Sequence, residues 1–82
     1  MKKAIALEYR EDLPAPFILA KGQERMAERL VEIARENEIE ILPMPELTDS
    51  LFTLQIGDWI PEEFYRIVAE LLVFIYKVRN EK

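Results

Sequence analysis

Residues 15–22 read Ala-Pro-Phe-Ile-Leu-Ala-Lys-Gly, and this stretch decides how the chain divides into elements. Pro14 and Pro16 lack an amide donor and bias the residues before them toward extended backbone, so they mark a connection. The apolar run over residues 17–20 predicts a strand that is buried on both faces. Gly22 then ends this strand and opens a helix.

The helix after Gly22 is predicted over about residues 23–37. Apolar side chains recur there at spacings of three and four, which places them in one stripe along the helix. Charged residues fill the other positions, a pattern typical of a face exposed to solvent. The stripe consists of Met26, Ala27, Leu30, Val31, Ile33 and Ala34. The sequence therefore predicts an amphipathic helix that packs on a sheet.

Two further strands are predicted on either side of this unit. In residues 3–9, Ile5, Leu7 and Tyr9 alternate with smaller or polar residues, so one face carries the bulky side chains. Residues 39–42 read Ile-Glu-Ile-Leu, in which two β-branched residues alternate with Glu40, and the run stops at a proline. A strand, a helix and a strand joined by a full crossover predict a parallel pair.

The last third of the chain is predicted to be helical. Residues 47–54 indicate a short helix or turn, and Pro61 suits the first position of a final helix over about residues 62–78. The apolar residues of this helix cover most of its circumference, so they cannot all face one sheet. They are Ile67, Val68, Leu71, Leu72, Phe74, Ile75 and Val78. The helix is either wedged between the sheet and another helix, or part of its apolar face docks a partner.

These elements predict one α/β domain over residues 1–82, with a small three-stranded sheet, at least one parallel pair, and about three helices packed on it. A length of 82 residues is typical of a single domain. A composition with 50% hydrophobic and 33% charged residues is typical of a compact, ordered domain.

Charge and composition exclude several classes of function. The net charge of −5 disfavours nucleic acid, whose phosphates attract clusters of Lys and Arg. The chain has no cysteine and no histidine, so thiolate chemistry, the usual general base and the usual metal ligands are absent. We expect no metal and no cofactor. The longest apolar run, residues 71–76, is far shorter than the ~20 residues of a membrane span.

The acidic residues do not form a predicted catalytic site. Glu46, Asp49 and Asp58 are the candidates, but a catalytic carboxyl needs a pocket and a raised pKa, and the sequence indicates neither. The pair at 62–63 is better explained by the positive end of the last helix. Lys21 before Gly22 is a weak candidate for anion binding, because no glycine-rich loop surrounds it. We therefore expect no catalytic residues.

Two segments together resemble one protein family. Residues 15–22 contain Ala-Pro and Ala-Lys-Gly, and residues 57–76 contain Ile-Pro followed by a Tyr, a Val-Ala-Glu and a closing Tyr at matching spacing. Their order is similar to that in the cytoplasmic C-terminal domain of the type III export switch proteins (FlhB/YscU-like) of flagellar and virulence secretion. The resemblance extends from Lys3 to Val78, and it implies a small α/β domain on the cytoplasmic side of a bacterial export system.

The resemblance has two departures. The family cleaves itself at an Asn-Pro-Thr-His loop that precedes the strand matched by residues 3–9. Met1 stands at the position of the Thr and Lys2 at that of the His, and the Asn and Pro have no counterpart in this sequence. The resemblance therefore implies no self-cleavage. Asp49 stands where the family has an arginine. The strand that precedes the family's loop would also be missing. The first strand would then have an open edge, which Lys2 and Lys3 protect or which a partner's strand fills.

The resemblance implies a non-catalytic interaction module that binds export substrates or export-apparatus components, with peripheral contact at the export gate. The family's shallow apolar docking patch falls on Ala15, Pro16, Ala69 and Leu72. Trp59, the only tryptophan, either caps the edge of the core or serves as an interface anchor. The alternative is a small-ligand-binding protein or enzyme on a repurposed scaffold. The partner's identity and the oligomeric state do not follow from the sequence.

Overall fold

The computed structural model describes residues 2–10 and 12–80, and the side chains among them as far as Leu72. Two strands come first in the chain, and helices follow. The elements are β1 (Lys3–Glu8), β2 (Phe17–Gln23), α1 (Arg25–Glu36), α2 (Pro45–Leu51), a 3₁₀ turn (Glu62–Phe64) and α3 (Tyr65–Asn80). The predicted mixed α/β class is confirmed, and the helices lie close to their predicted positions.

The sheet differs from the prediction, because β1 and β2 form a two-stranded antiparallel sheet. Gly22 lies within β2 and does not end it. The register shifts at Leu19, which has no partner in β1. Leu19 is 48% exposed, so the prediction of a strand buried on both faces was wrong. A bulge of this kind changes which face the following side chains take, and here it turns Ile18 to the same face as Leu7.

The predicted third strand at residues 39–42 is absent from the sheet, and with it the parallel pair. Helix α1 ends in a turn in which the Ile39 amide donates to the Ala34 carbonyl (2.8 Å) and the Glu38 amide to the Arg35 carbonyl (3.2 Å). Glu38 has a positive φ of 57°, as this C-terminal motif requires. The turn leads the chain away from β2, and Ile39 remains 56% exposed.

A short segment, residues 57–60, occupies the second edge of β2. Ile18 donates to the Asp58 carbonyl (2.9 Å) and accepts from the Gly57 amide (2.7 Å), while the Ile60 amide donates to the Pro16 carbonyl (2.8 Å). Gly57 has φ = 94°, a conformation that favours glycine. The place beside β2 that a parallel strand would take is therefore filled by the residues just before Pro61.

The two faces of the sheet carry different side chains. Ala4, Ala6, Ala20 and Gly22 lie on one face, by register, and α1 packs there with Ala27 buried. Small residues let the helix approach the strands closely. The opposite face carries larger side chains against α2 and α3. Its core is Ile18, Leu51, Ile60 and Val68, with Ile5, Leu7, Leu47, Leu54, Phe64 and Leu72 packed against it.

The last helix was predicted to be apolar on several sides. Val68 is buried at 2% exposure, whereas Ile67 is 41% exposed, so α3 faces the core with one side only over its described part. Phe74, Ile75 and Val78 lie outside the residues whose side chains the structure describes. No helix in the described ranges is both long enough and apolar enough to cross a membrane.

Lys21 joins β2 to the end of α2. Its ammonium donates to the carbonyls of Phe52 (2.9 Å) and Leu54 (2.7 Å) and lies 5.0 Å from the centre of the Phe52 ring. These carbonyls follow α2, where helix acceptors lack helical donors. Lys21 is thus a structural residue here and is not directed at an external anion.

We expect Lys21→Met to lower the free energy of unfolding by about 1.5–3 kcal/mol, because it removes charged donors from part-buried carbonyls. Lys3→Met is the matched control, since Lys3 also lies near the Phe52 ring (5.3 Å) but pairs only with the exposed Asp49 carboxylate. We expect a change of about 0–1 kcal/mol for the control. Urea denaturation of both variants measures the difference; equal losses would contradict the role of Lys21.

Candidate docking groove

One groove of about 350 Å³ lies between the β1–β2 connection and α3. It brings together all of the patch residues that the resemblance implied. Its lining consists of Tyr9, Pro14, Ala15, Pro16, Tyr65, Ala69 and Leu72. We call this surface the docking groove. Apart from the tyrosine hydroxyls, the lining side chains are apolar, so the surface suits an apolar segment of a partner.

The wall contributed by α3 follows from helical spacing. Tyr65, Ala69 and Leu72 stand at positions i, i+4 and i+7 and therefore share one face of the helix. Leu72 also packs against the core cluster, which fixes the helix relative to the sheet. Ala69 is exposed and small, so it leaves room above the helix backbone.

The opposite wall is a loop held at both ends. The Leu13 amide donates to the Arg10 carbonyl (2.9 Å), which closes a turn after β1. At the other end, the Pro16 carbonyl accepts from Ile60. Ala15 is only 4% exposed, so this part of the loop lies at the base of the groove. Pro14 and Pro16 restrict the backbone freedom of the part of the loop that lines the groove.

Aromatic rings flank the groove. Tyr9 is 46% exposed and Tyr65 is 42% exposed, so each presents ring surface and a hydroxyl to solvent. Charges lie beside them in sequence: Arg10 pairs with Glu8 (3.3 Å), and Arg66 pairs with Glu70 (3.6 Å). The arrangement is an apolar base with polar tips and ion pairs at its margin.

Trp59 does not line the docking groove in the described residues. Its ring meets Phe17 edge to face, with ring centres 5.9 Å apart and planes at 86°. A backbone bridge joins the same residues. Trp59 nevertheless remains 50% exposed, so one part of the ring packs and another part is open to solvent. Its use as an interface anchor stays a prediction.

The acidic candidates lie outside the groove and have structural contacts. The Asp58 carboxylate accepts from the Gln55 amide (2.8 Å) and so holds the turn that contains Gly57. Asp49 pairs with Lys3 (3.1 Å), which gives this acidic residue a partner within the chain. Glu46 lies in the first turn of α2. The described ranges contain no group of three or more acidic, His or Cys side chains placed to hold a metal ion.

One titrating group is perturbed at the surface. The Lys2 ammonium donates to the Glu28 carboxylate at 2.6 Å. This hydrogen bond, together with the charge of Glu28, raises the pKa of Lys2 above its ordinary value, and desolvation opposes the effect. The pair joins the residue before β1 to α1, and neither Lys2 nor Glu28 lines the docking groove.

Comparison with known proteins shows the family to which the chain belongs. Residues 1–75 match the family model described as the FlhB HrpN YscU SpaS family. The chain belongs to this family. Family membership was predicted from residues 15–22 and 57–76 and is confirmed.

Full-length relatives share similar sequence over nearly the whole chain. The flagellar biosynthetic protein FlhB of Bacillus subtilis is 35% identical over 80 residues, which are 95% of this chain and 22% of FlhB. The FlhB of Yersinia enterocolitica is 38% identical over 81 residues, 96% of this chain and 21% of that protein. The chain thus spans about a fifth of the length of these curated relatives.

Solved domains of the family share the fold. The cytoplasmic domain of FlhB from Shewanella putrefaciens superposes with a TM-score of 0.88 at 32% identity, covering 94% of this chain and 64% of that domain. The PscU C-terminal domain gives a TM-score of 0.84 at 28% identity, covering 90% of this chain and 96% of the other. The chain therefore has the fold of the C-terminal cytoplasmic domains of the FlhB/YscU family.

Sequence reasoning did not include every residue of the groove. Tyr9 was assigned to the first strand, Pro14 to a connection, and Tyr65 only to the matched closing helix. The spacing of Tyr65 from Ala69 and Leu72 was a usable signal, because positions i, i+4 and i+7 share a helix face. Tyr9 and Pro14 gave no comparable signal, because their position beside α3 depends on how the β1–β2 connection packs on a helix far away in the sequence.

Proposed function

We propose that the chain is a non-catalytic interaction module of type III protein export. It acts on the cytoplasmic side and binds export substrates or other components of the export apparatus in the docking groove. The observation that carries the proposal is the convergence of Ala15, Pro16, Ala69 and Leu72 on one groove. Family membership supports the connection to flagellar and type III export.

The composition of the groove favours an extended peptide over a small polar ligand. Ala15 and Ala69 have short side chains, which leave a shallow base that peptide backbone can approach. The exposed rings of Tyr9 and Tyr65 offer apolar area with polar tips, as is common where proteins bind each other. A repurposed enzyme would need converging polar groups, and the described lining supplies few.

The module would stand in for, or compete with, the corresponding domain of a full-length relative. Because the chain shares that domain's fold, and because its groove contains the patch residues that the resemblance implies, both would present the same kind of groove to one partner. Competition would then be set by relative affinity and concentration.

A binding titration tests the proposal. The wild-type chain is titrated against soluble domains of the flagellar export apparatus and against export substrates from the same cell. We expect Ala69→Glu to weaken binding by at least about tenfold, because it places a charge in an apolar groove. Leu72→Asp should do the same, but it also removes a core contact, so its folding must be checked.

The chain offers matched controls for both variants. Ile67→Glu adds the same charge on α3 at an exposed position outside the groove, and Leu19→Asp makes the same change as Leu72→Asp at the exposed bulge. Both controls should bind like the wild type. Saturable binding that only the groove variants lose supports the module. A folded wild-type chain that binds none of these proteins, or groove variants that bind normally, would contradict it.

A further inference from the structure

The outer edge of β1 carries unpaired backbone groups. The Glu24 amide donates to the Lys2 carbonyl (2.8 Å), so Lys2 directs its carbonyl toward β2. Along an antiparallel strand, successive residues direct their amide and carbonyl groups to opposite edges. Ala4, Ala6 and Glu8 therefore also direct these groups toward β2. Ile18, the partner of Leu7, exchanges its backbone hydrogen bonds with residues 57–58 and not with β1. Leu7 therefore directs its own backbone groups away from β2.

The remaining residues of β1 point their amides and carbonyls outward. These residues are Lys3, Ile5 and Leu7. Within residues 2–10 and 12–80, no other backbone group hydrogen-bonds to them. The side chains of Ile5 and Leu7 face the core, so the strand cannot turn its edge inward without losing that packing. Such an edge is a template for another strand.

The sequence of the edge is complementary to itself. When the strand is placed antiparallel to a copy with Ile5 opposite Ile5, Lys2 lies opposite Glu8 of the second copy, and Glu8 lies opposite its Lys2. In the same register, the amide and carbonyl of Lys3 can hydrogen-bond to the carbonyl and amide of Leu7 in the second copy. Opposite charges at both ends of a strand pair are favourable, and like charges are not. The register also keeps even residues on one face and odd residues on the other.

We propose that β1 pairs edge to edge with β1 of a second copy of this chain. The product is a four-stranded antiparallel sheet, and its twofold axis is perpendicular to the sheet and passes midway between the two copies of Ile5. A twofold contact of this kind is closed and self-limiting. Lys2 can keep its bond to Glu28 and still serve Glu8 of the second copy, since an ammonium has several donors.

The pairing would also extend the sheet. It adds backbone hydrogen bonds to a sheet that has two strands within the described residues. The proposed pairing uses residues 2–8, whereas the groove is lined by Tyr9, the β1–β2 connection and α3. The test of the pairing therefore does not depend on which protein binds in the groove.

Charge-swapped variants test the register. Glu8→Lys places a new ammonium group opposite Lys2 of the second copy, and Lys2→Glu places a new carboxylate opposite its Glu8. We expect each variant alone to raise the dimer dissociation constant by at least about tenfold. An equimolar mixture of the variants restores attraction at both ends, so it should form a mixed dimer with an affinity near that of the wild type. Sedimentation velocity from micromolar to millimolar chain measures all three cases.

A control and a second readout keep the test specific. Glu32→Lys makes the same charge change on α1. Glu32 pairs with Arg29, as Glu8 pairs with Arg10, so both changes remove one ion pair. We expect the Glu32→Lys variant to dimerise like the wild type. Amide hydrogen exchange should slow with concentration at Ile5 and Leu7, while Ala4 and Ala6 stay unchanged. A wild-type chain that is monomeric at millimolar concentration overturns the proposal, as does a dimer that Glu8→Lys leaves intact.

Discussion

Replacing Ile18 by alanine is expected to lower the free energy of unfolding by about 2–5 kcal/mol. Ile18 is fully buried, with 0% exposure, and lies among Leu51, Ile60 and Val68. Truncation removes buried methyl groups and leaves a cavity at the point where the sheet, α2 and α3 meet. A chain of this length is expected to have a total stability of about 4–12 kcal/mol, so the variant would be largely unfolded at the lower end.

Ile56→Ala is the matched control for this change. Ile56 is 62% exposed, so the same truncation should alter stability by only about 0.5 kcal/mol or less. Urea denaturation followed by Trp59 fluorescence and by circular dichroism measures both variants, and the slopes with urea should agree between them. If Ile18→Ala cost no more than Ile56→Ala, the position of the core would be wrong.

The elements could be predicted from the sequence because their signals are local. The stripe of α1 depends on neighbouring turns of one helix; Ala27 is buried and Leu30 is part-buried, while Met26 remains 60% exposed. Pro61 precedes the 3₁₀ turn that opens α3, as its fixed φ suggests. Alternation in β1 likewise needs only the strand itself, and Ile5 and Leu7 pack against the core as predicted.

The sheet topology could not be predicted in this way. Ile39 and Ile41 have the β-branched side chains typical of a strand, yet Ile41 is 40% exposed and belongs to no ladder. Two features keep residues 39–42 out of the sheet: the turn at Glu38, and the bonding of residues 57–60 to the edge of β2 that a third strand would use. A competition between distant segments leaves no periodic signal in either one.

The bulge at Leu19 shows a second limit. An apolar run from Phe17 to Ala20 is expected to be buried on both faces, but the unpaired residue exposes Leu19 and returns Ile18 to the core face. One extra residue thus changes the face of every side chain beyond it. The docking groove has the same character: resemblance supplied Ala15 and Ala69, whereas Tyr9 joins them only through the tertiary packing of α3.

Gly22→Ala is expected to lower the free energy of unfolding by about 1–3 kcal/mol through overpacking. A Cβ added at Gly22 would lie 2.8 Å from the Met26 Cβ and 3.0 Å from its carbonyl carbon. These atoms are close to or part of the helix backbone, so α1 itself would have to move. A Gly→Ala change usually gains about 0.4–1 kcal/mol from the unfolded chain, which is too little to offset a shift of the helix.

Variants of Met26 separate this steric cause from a loss of flexibility. Met26→Ala keeps the Cβ, so Gly22→Ala should cost as much in that background as in the wild type. Met26→Gly removes the Cβ, and the cost of Gly22→Ala should fall, though not to zero, since the Met26 carbonyl carbon and oxygen remain at 3.0 and 3.2 Å. A double-mutant cycle by urea denaturation isolates this coupling from the propensity cost of about 1 kcal/mol for glycine in a helix. Equal costs in all three backgrounds would mean that the close approach of α1 to β2 does not explain why a glycine stands at position 22.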